Sequence, residues 1–248
     1  MDDPILNSDE LNDKSAIDDD NIAFVINGTI HKKIIPILLS PKVIFPFQTS
    51  IPVVTDPHLK QLFEEAHREN TVIGYAYHPE TAATELPKLQ HVGVAAIVPE
   101  LSKLVDGSYL VKIVPLNRFY ITAYVNDDPK DLTARVAYYS DVPEDEKLLK
   151  PLAEKFVRLH AEVDEAIKEH SKPKTKHEAF LDPSDYHMLS LYANTSFSLF
   201  PKFTEDEKQY LLWLYKLSER LLLAIDILEE TLPGTKRAAK RMRPFKNN

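Results

Sequence analysis

A chain of 248 residues, 44% of them hydrophobic and 27% charged, has material for one large domain or two smaller ones around an ordinary core. Its formal net charge of −8 disfavours a protein built around a phosphate backbone, because that affinity comes from clustered Lys and Arg. Without cysteine there is no disulfide frame, thiolate nucleophile or Cys-ligated zinc, which is compatible with a reducing compartment. No run approaches the roughly 20 apolar residues of a membrane helix. The chain opens Met-Asp-Asp-Pro rather than basic then apolar, so the expectation is a soluble cytoplasmic protein with no membrane partner.

Residues 1–32 read as an acidic, disordered tail. Through residue 21, Asp2, Asp3, Asp9, Glu10, Asp13, Asp18, Asp19 and Asp20 stand against Lys14 alone. Within that span Ala23 to Asn27 is apolar enough for a short strand, and Asn27-Gly28 is a turn signal. From Ile34 to Val54, β-branched and aromatic residues alternate with Pro36, Pro41, Pro46 and Pro52. Each proline lacks a donor and holds its predecessor extended, which places these short strand segments on edges, corners or bulges of a small barrel or strongly bent sheet. Asp56-Pro57 supplies a cap and a first helical position, and Leu59, Leu62, Phe63 and Ala66 follow at helical spacing to about Asn70. This helix should cover one side of the sheet.

Thr71 to Tyr77 is the next strand, with Gly74 marking a bulge or a close approach of another backbone. A polar loop follows from His78 to Gln90. Two long apolar arms then flank Asp106-Gly107, the expected two-residue primed turn of an antiparallel hairpin whose arms are interrupted at Pro99 and Pro115. Leu132, Ala134, Val136 and Tyr138 alternate with polar or small residues as a half-exposed closing strand.

At Val142-Pro143 the period changes from two to about 3.6. The division expected is a β subdomain over 33–142 with one covering helix, a helical subdomain over 143–232 and a basic tail over 233–248. Leu149, Leu152, Phe156, Leu159, Val163 and Ile167 form one apolar stripe. After a polar connector at 172–178, Asp182-Pro183 opens a shorter helix through Tyr192. Thr204-Glu205-Asp206-Glu207 is a capping box ahead of a helix that carries Leu211, Leu214, Tyr215, Leu221, Leu222, Ile225 and Leu228 until Pro233-Gly234 stops it.

No enzyme chemistry follows from these residues. Gly28, Gly74, Gly93, Gly107 and Gly234 are never spaced as a P-loop requires. Ser184, Ser190, Ser196 and Ser198 read as caps or surface positions. The histidines are dispersed, with His160 and His170 or His177 and His187 ten apart and no HExxH, so no metal site is expected. Carboxylate pairs such as Glu64-Glu65 read as solvated charge, and no cofactor is implied.

The segments IIPILLSPKVIFPFQTSIPV, LQHVGVAAIVPELSKLVDGSYLVKIVPLNRFYI and FTEDEKQYLLWLYKLSERLLLAIDIL, in this order over about residues 34 to 230, resemble the N-terminal substrate-binding domain of Lon proteases. The matching positions include Pro36, Val43, Phe45, Pro46 and Pro52, then Gly93, Ala95, Ile97, Asp106, Gly107 and Arg118, then Gln209, Leu211, Leu212, Glu219, Arg220 and Leu221. Each motif alone is turn chemistry and core pattern, whereas the ordered set is specific. Phe47 stands where the family has Gly after Phe-Pro, Val94 replaces the usual Thr after Gly93, and Pro233-Gly234 falls where a full protease continues into a long charged helix.

The resemblance implies an α+β fold, a PUA-like bent sheet or barrel followed by a helical bundle, and a non-catalytic module without the family's ATPase and Ser-Lys protease domains. It implies binding of unfolded or extended polypeptides, with a protease or chaperone as partner and weak self-association. Strand addition at proline-broken edges and exposed apolar side chains suit such capture. Phe45, Phe47, Tyr75 and Tyr77 are the candidate contact residues. The alternatives are RNA binding, since PUA-like barrels elsewhere bind RNA and Lys236, Arg237, Lys240, Arg241 and Arg243 form a basic tail, and self-association through the last helix. The acidic charge disfavours nucleic acid.

Overall fold

The computed structural model describes residues 21–79, 86–88, 91–168, 181–199 and 203–242, the side chains of 166–168, 198–199 and 233–242 excepted. The acidic run through Asp20 and the polar connector at 172–178 lie outside the described residues. Inside the span expected to be tail, however, β1 (Ile22–Ile26) and β2 (Thr29–Lys32) form an antiparallel hairpin. Asn27 and Gly28 both have positive φ, 51° and 80°, so the two-residue primed turn occurs here. Phe24 stacks on the buried His31 at 4.3 Å between ring centroids, and both meet Tyr138 edge-on. The acidic composition points to a tail, but this aromatic cluster gives the hairpin an apolar face to bury.

The barrel consists of β3 (Ile34–Ser40), β5 (Ile73–Tyr77), β6 (Val92–Lys103), β7 (Tyr109–Asn126) and β8 (Thr133–Tyr139). Its neighbours run β7-β6-β5-β3-β8, and β8 returns to pair with β7, which closes the cylinder. The two-residue β4 (Val53–Val54) is added to the far end of β7. The proline-rich stretch supplies one strand inside the barrel, β3, where edge pieces were expected throughout, and then, around Pro52, an edge piece in β4 and the Ser50 bridge to Ile113. Pro36 is tolerated because pairing switches there: Ile34 to Pro36 face β8 and Ile37 to Ser40 face β5. Register shifts in the long hairpin fall between Ile97 and Glu100, around Pro99, and beside Pro115. The hairpin end is a longer loop than the expected two-residue turn. Gly107 alone has positive φ, its N–H donates to Leu104 O at 3.0 Å, and Asp106 is held by accepting from Ser108 N at 2.9 Å.

The helix α1 (Pro57–Glu69) begins as its cap predicts, with Asp56 accepting from Leu59 N at 2.9 Å, and ends at Asn70 in the left-handed conformation. It buries Phe63 and Ala66 against Val98, Val111 and Ile113. Gly74 answers to close side chains: a Cβ there would sit 2.5 Å from Ile37 Cδ1. The backbone approach is at Gly93, where a Cβ would lie 2.5 Å from Tyr75 O.

Beyond the barrel come α2 (Glu146–Lys168), α3 (Tyr186–Leu199), α4 (Glu205–Trp213) and α5 (Leu217–Met242). The cap of α3 is Asp185, which accepts from Met188 N at 3.0 Å, whereas Asp182 closes a preceding turn with Ser184. The capping box at Thr204 is present: Thr204 Oγ1 accepts from Glu207 N at 3.3 Å and Glu207 Oε2 accepts from Thr204 N at 2.8 Å. The single long helix expected after it is two, broken at Leu214 (φ −58°, ψ 120°). Nor does Pro233-Gly234 stop α5, whose backbone stays helical to Met242. A proline disfavours a helix interior by about 3 kcal/mol, but the Lys-Arg-Ala-Ala-Lys-Arg sequence that follows consists of good helix formers. No described helix is long and apolar enough to cross a membrane.

Candidate functional site

The residues that make the sequence pattern converge on the junction between barrel and helices. Val43 and Phe45, just after β3, are buried in the helical core, and Phe45 packs on Phe197 with centroids 6.0 Å apart. Val43 N donates to Glu205 Oε2 at 2.6 Å and Gln209 Nε2 donates to Val92 O at 2.8 Å. Asp141, in the linker after β8, is shared by two buried guanidinium groups, Arg118 from β7 and Arg220 from α5. Arg220 also donates to Ser190 Oγ at 3.0 Å and Asn194 Oδ1 at 3.3 Å on α3, while its buried Nε has no partner. Burial, then the neighbouring Arg118 charge, pull the Arg220 pKa below its ordinary value, and Asp141 opposes them.

Arg118 also explains the break between α4 and α5. Its Nη1 donates to Leu214 O and, at 3.2 Å, to Leu212 O, the carbonyls orphaned where α4 ends. The linker completes the break, since Val142 N donates to Tyr215 O at 3.0 Å and Glu144 accepts from Ser218 N at 2.9 Å at the start of α5. With Leu214 anchored inside, Trp213 and Tyr215 turn outward and are 49% and 41% exposed.

Two recesses flank the linker. On one side Trp213, Tyr215, Tyr120, Tyr139, Val142 and Val92 line a groove of about 380 Å³, with Trp213 and Tyr215 meeting edge to face at 5.9 Å. On the other, a cavity of about 550 Å³ has Arg118, Asp141, Arg220, Ser190 and Asn194 at its floor and Phe47, Pro46 and Ile26 among its walls. Tyr139 divides them: Arg118 lies 4.7 Å from its ring centroid, and the ring also lines the aromatic groove.

Of the four residues the sequence singled out, Phe45 is wholly buried and has no surface to offer. Tyr75 is largely core as well; its hydroxyl is buried without a hydrogen-bond partner, and that burial pushes its pKa well above the usual phenol range. Tyr77 is half-buried and donates to Asp206 Oδ1 at 3.1 Å. Phe47 is exposed at the cavity mouth with its ring edge-on to His187, and it holds φ at +66°, the left-handed conformation that suits the family's glycine. The four therefore do not form one surface. Trp213 and Tyr120 were missed because neither belongs to a motif; the cue available was the run Tyr210 to Leu217, too apolar all round for a surface helix. Lys236, Arg237, Lys240 and Arg241 fall on the last turns of α5, and Arg243 lies outside the described residues. Among the described residues no group of three His, Asp or Glu is placed to hold a metal ion.

The family model for the ATP-dependent protease La (LON) substrate-binding domain matches residues 34–230. The chain belongs to the LON substrate-binding domain family. Two solved Lon N-terminal domains share the fold. One, from Xanthomonas campestris, is 16% identical with a TM-score of 0.53 over 77% of this chain and 97% of its own. The other, from the Mycobacterium avium complex Lon protease, is 18% identical with a TM-score of 0.55 over 80% and 99%. No curated protein sequence matches the chain. The Lon pattern positions Phe45, Arg118, Gln209 and Arg220 thus hold the barrel to the helices, and the exposed aromatic groove is laid over the junction they make.

Proposed function

We propose that this chain is a non-catalytic recognition module that binds unfolded or extended polypeptides along the barrel–helix junction, for delivery to an ATP-dependent protease or a chaperone. The observation that carries the reading is the aromatic groove. Trp213, Tyr215 and Tyr120 present large, rigid, partly wet rings beside one another, the residue types that dominate binding energy where a partner's apolar side chains dock. Such rings accept many sequences, as a module for unfolded segments must. Membership of the LON substrate-binding family supports the same reading.

The test is binding of a fluorescently labelled model protein, chemically unfolded or folded, to the purified chain and to Trp213→Ala and Phe47→Ala variants. The expected result is preference for the unfolded form, weakened about tenfold by Trp213→Ala, the loss typical of one well-placed aromatic contact. Equal binding of both forms, or indifference to Trp213→Ala, overturns the reading. The wild-type chain carries an internal reporter, because Trp213 is its single tryptophan.

A further inference from the structure

Within the proposed binding role, we infer that the arginine-floored cavity beside the groove takes the terminal carboxylate of a bound polypeptide. The inference rests on that role but concerns a different recess. Among the residues that line this cavity, two guanidinium groups face one carboxylate, Asp141, so one positive charge has no carboxylate of its own in a protein whose net charge is −8. Arg118 and Arg220 are 5% and 1% exposed, so bulk water does little to screen that charge. Arg220 Nε is buried without a partner, so the protein itself does not fully satisfy this guanidinium. One residual charge matches a monoanion better than a phosphate, which carries close to two negative charges at neutral pH. The walls specify the rest of the ligand, for Phe47 and Ile26 are 36% and 49% exposed and apolar, suited to the last side chains of a chain whose end points at the floor. An anion at the end of an apolar segment satisfies both parts.

The experiment uses one apolar peptide in two forms, with a free C-terminal carboxylate and with a C-terminal amide, titrated against the wild-type chain. Because the change is on the ligand, no variant needs to fold. The amide should bind about tenfold more weakly, the scale of losing hydrogen bonds to a charged group. Asn194→Asp should erase the difference by supplying the second carboxylate from inside, next to Arg220, and a melting curve checks that this variant is folded. Equal binding of acid and amide, with both still weakened by Trp213→Ala, overturns the inference and leaves the polypeptide-binding role standing. Failure of both peptides and of the unfolded protein overturns both. Displacement of the acid peptide by inorganic phosphate at concentrations where acetate has no effect overturns the assignment to carboxylate.

Discussion

The two recesses on either side of Tyr139 and the linker that follows it share β6, β7 and Tyr139-Ser140 yet have opposite chemistry. The groove is a set of rings around no charge; the cavity has a floor of ions under an apolar mouth. The difference follows from which side of Arg118 each recess meets. Toward the groove the guanidinium is covered by the Tyr139 ring, and toward the cavity it lines the floor, largely buried, beside Asp141 and Arg220. Placing charge under one recess only lets one junction offer a sequence-tolerant surface and a selective one, and the way to break the comparison is to remove its shared support.

Asp141 is that support, and its loss should have the largest effect. Asp141→Leu leaves two buried guanidinium groups with no carboxylate between them, and breaking a buried pair by deleting one partner costs about 3–5 kcal/mol. The denaturation midpoint should fall accordingly, and both recesses should fail together because the α4–α5 break loses its anchor. A change under about 1 kcal/mol, the range of a surface pair, would mean that the arginines are wetter than their burial indicates.

An acid titration separates the recesses more gently. Burial lowers the pKa of His31 and His91, so both are favoured in their neutral form in the folded protein. The unfolded chain takes up their protons near pH 6.5, where the folded protein binds fewer. Stability is therefore full above that pH and falls as the pH drops through it, with a limiting slope of about 1.4 kcal/mol per pH unit for each group. His31 lines the cavity and donates through Nε2 to Asn117 Oδ1 at 3.0 Å, whereas no histidine or carboxylate lines the groove. Denaturation midpoints between pH 7 and 5 should show the loss, and His31→Gln should flatten it. A curve of the same slope in His31→Gln would assign the loss elsewhere.

The architecture was more legible in the sequence than the site, for a physical reason. Periodicity, the Asp56 cap and the Thr204 capping box are local, and each survives folding unchanged. The elements read wrongly depend on distant groups. The β1–β2 hairpin needs Tyr138 to cover Phe24 and His31, and the break at Leu214 needs Arg118, about a hundred residues earlier, to hold carbonyls of α4. Motif residues were easy to find because they repeat a family's interior; Phe45 and Arg220 are buried for that reason. Trp213 belongs to no pattern, and only the broken helix turns it outward.

Phe47 offers the smallest effect and the sharpest one, since it tests whether a ring was kept at the cavity mouth against the preference of its backbone. A bulky residue at φ +66° is held there at a cost of about 1–2 kcal/mol, which glycine escapes. Phe47→Ala keeps the strained conformation and loses the contact with His187; Phe47→Gly loses the same contact and relieves the strain. Glycine should therefore be the more stable of the two by about 1 kcal/mol, less the wider freedom it gives the unfolded chain. Both variants should bind unfolded polypeptide equally, and less well than wild type. If Gly matches Ala in stability, the corner relaxes without its ring and the left-handed turn is no constraint. If Gly also binds as well as wild type, the strained ring serves neither recess.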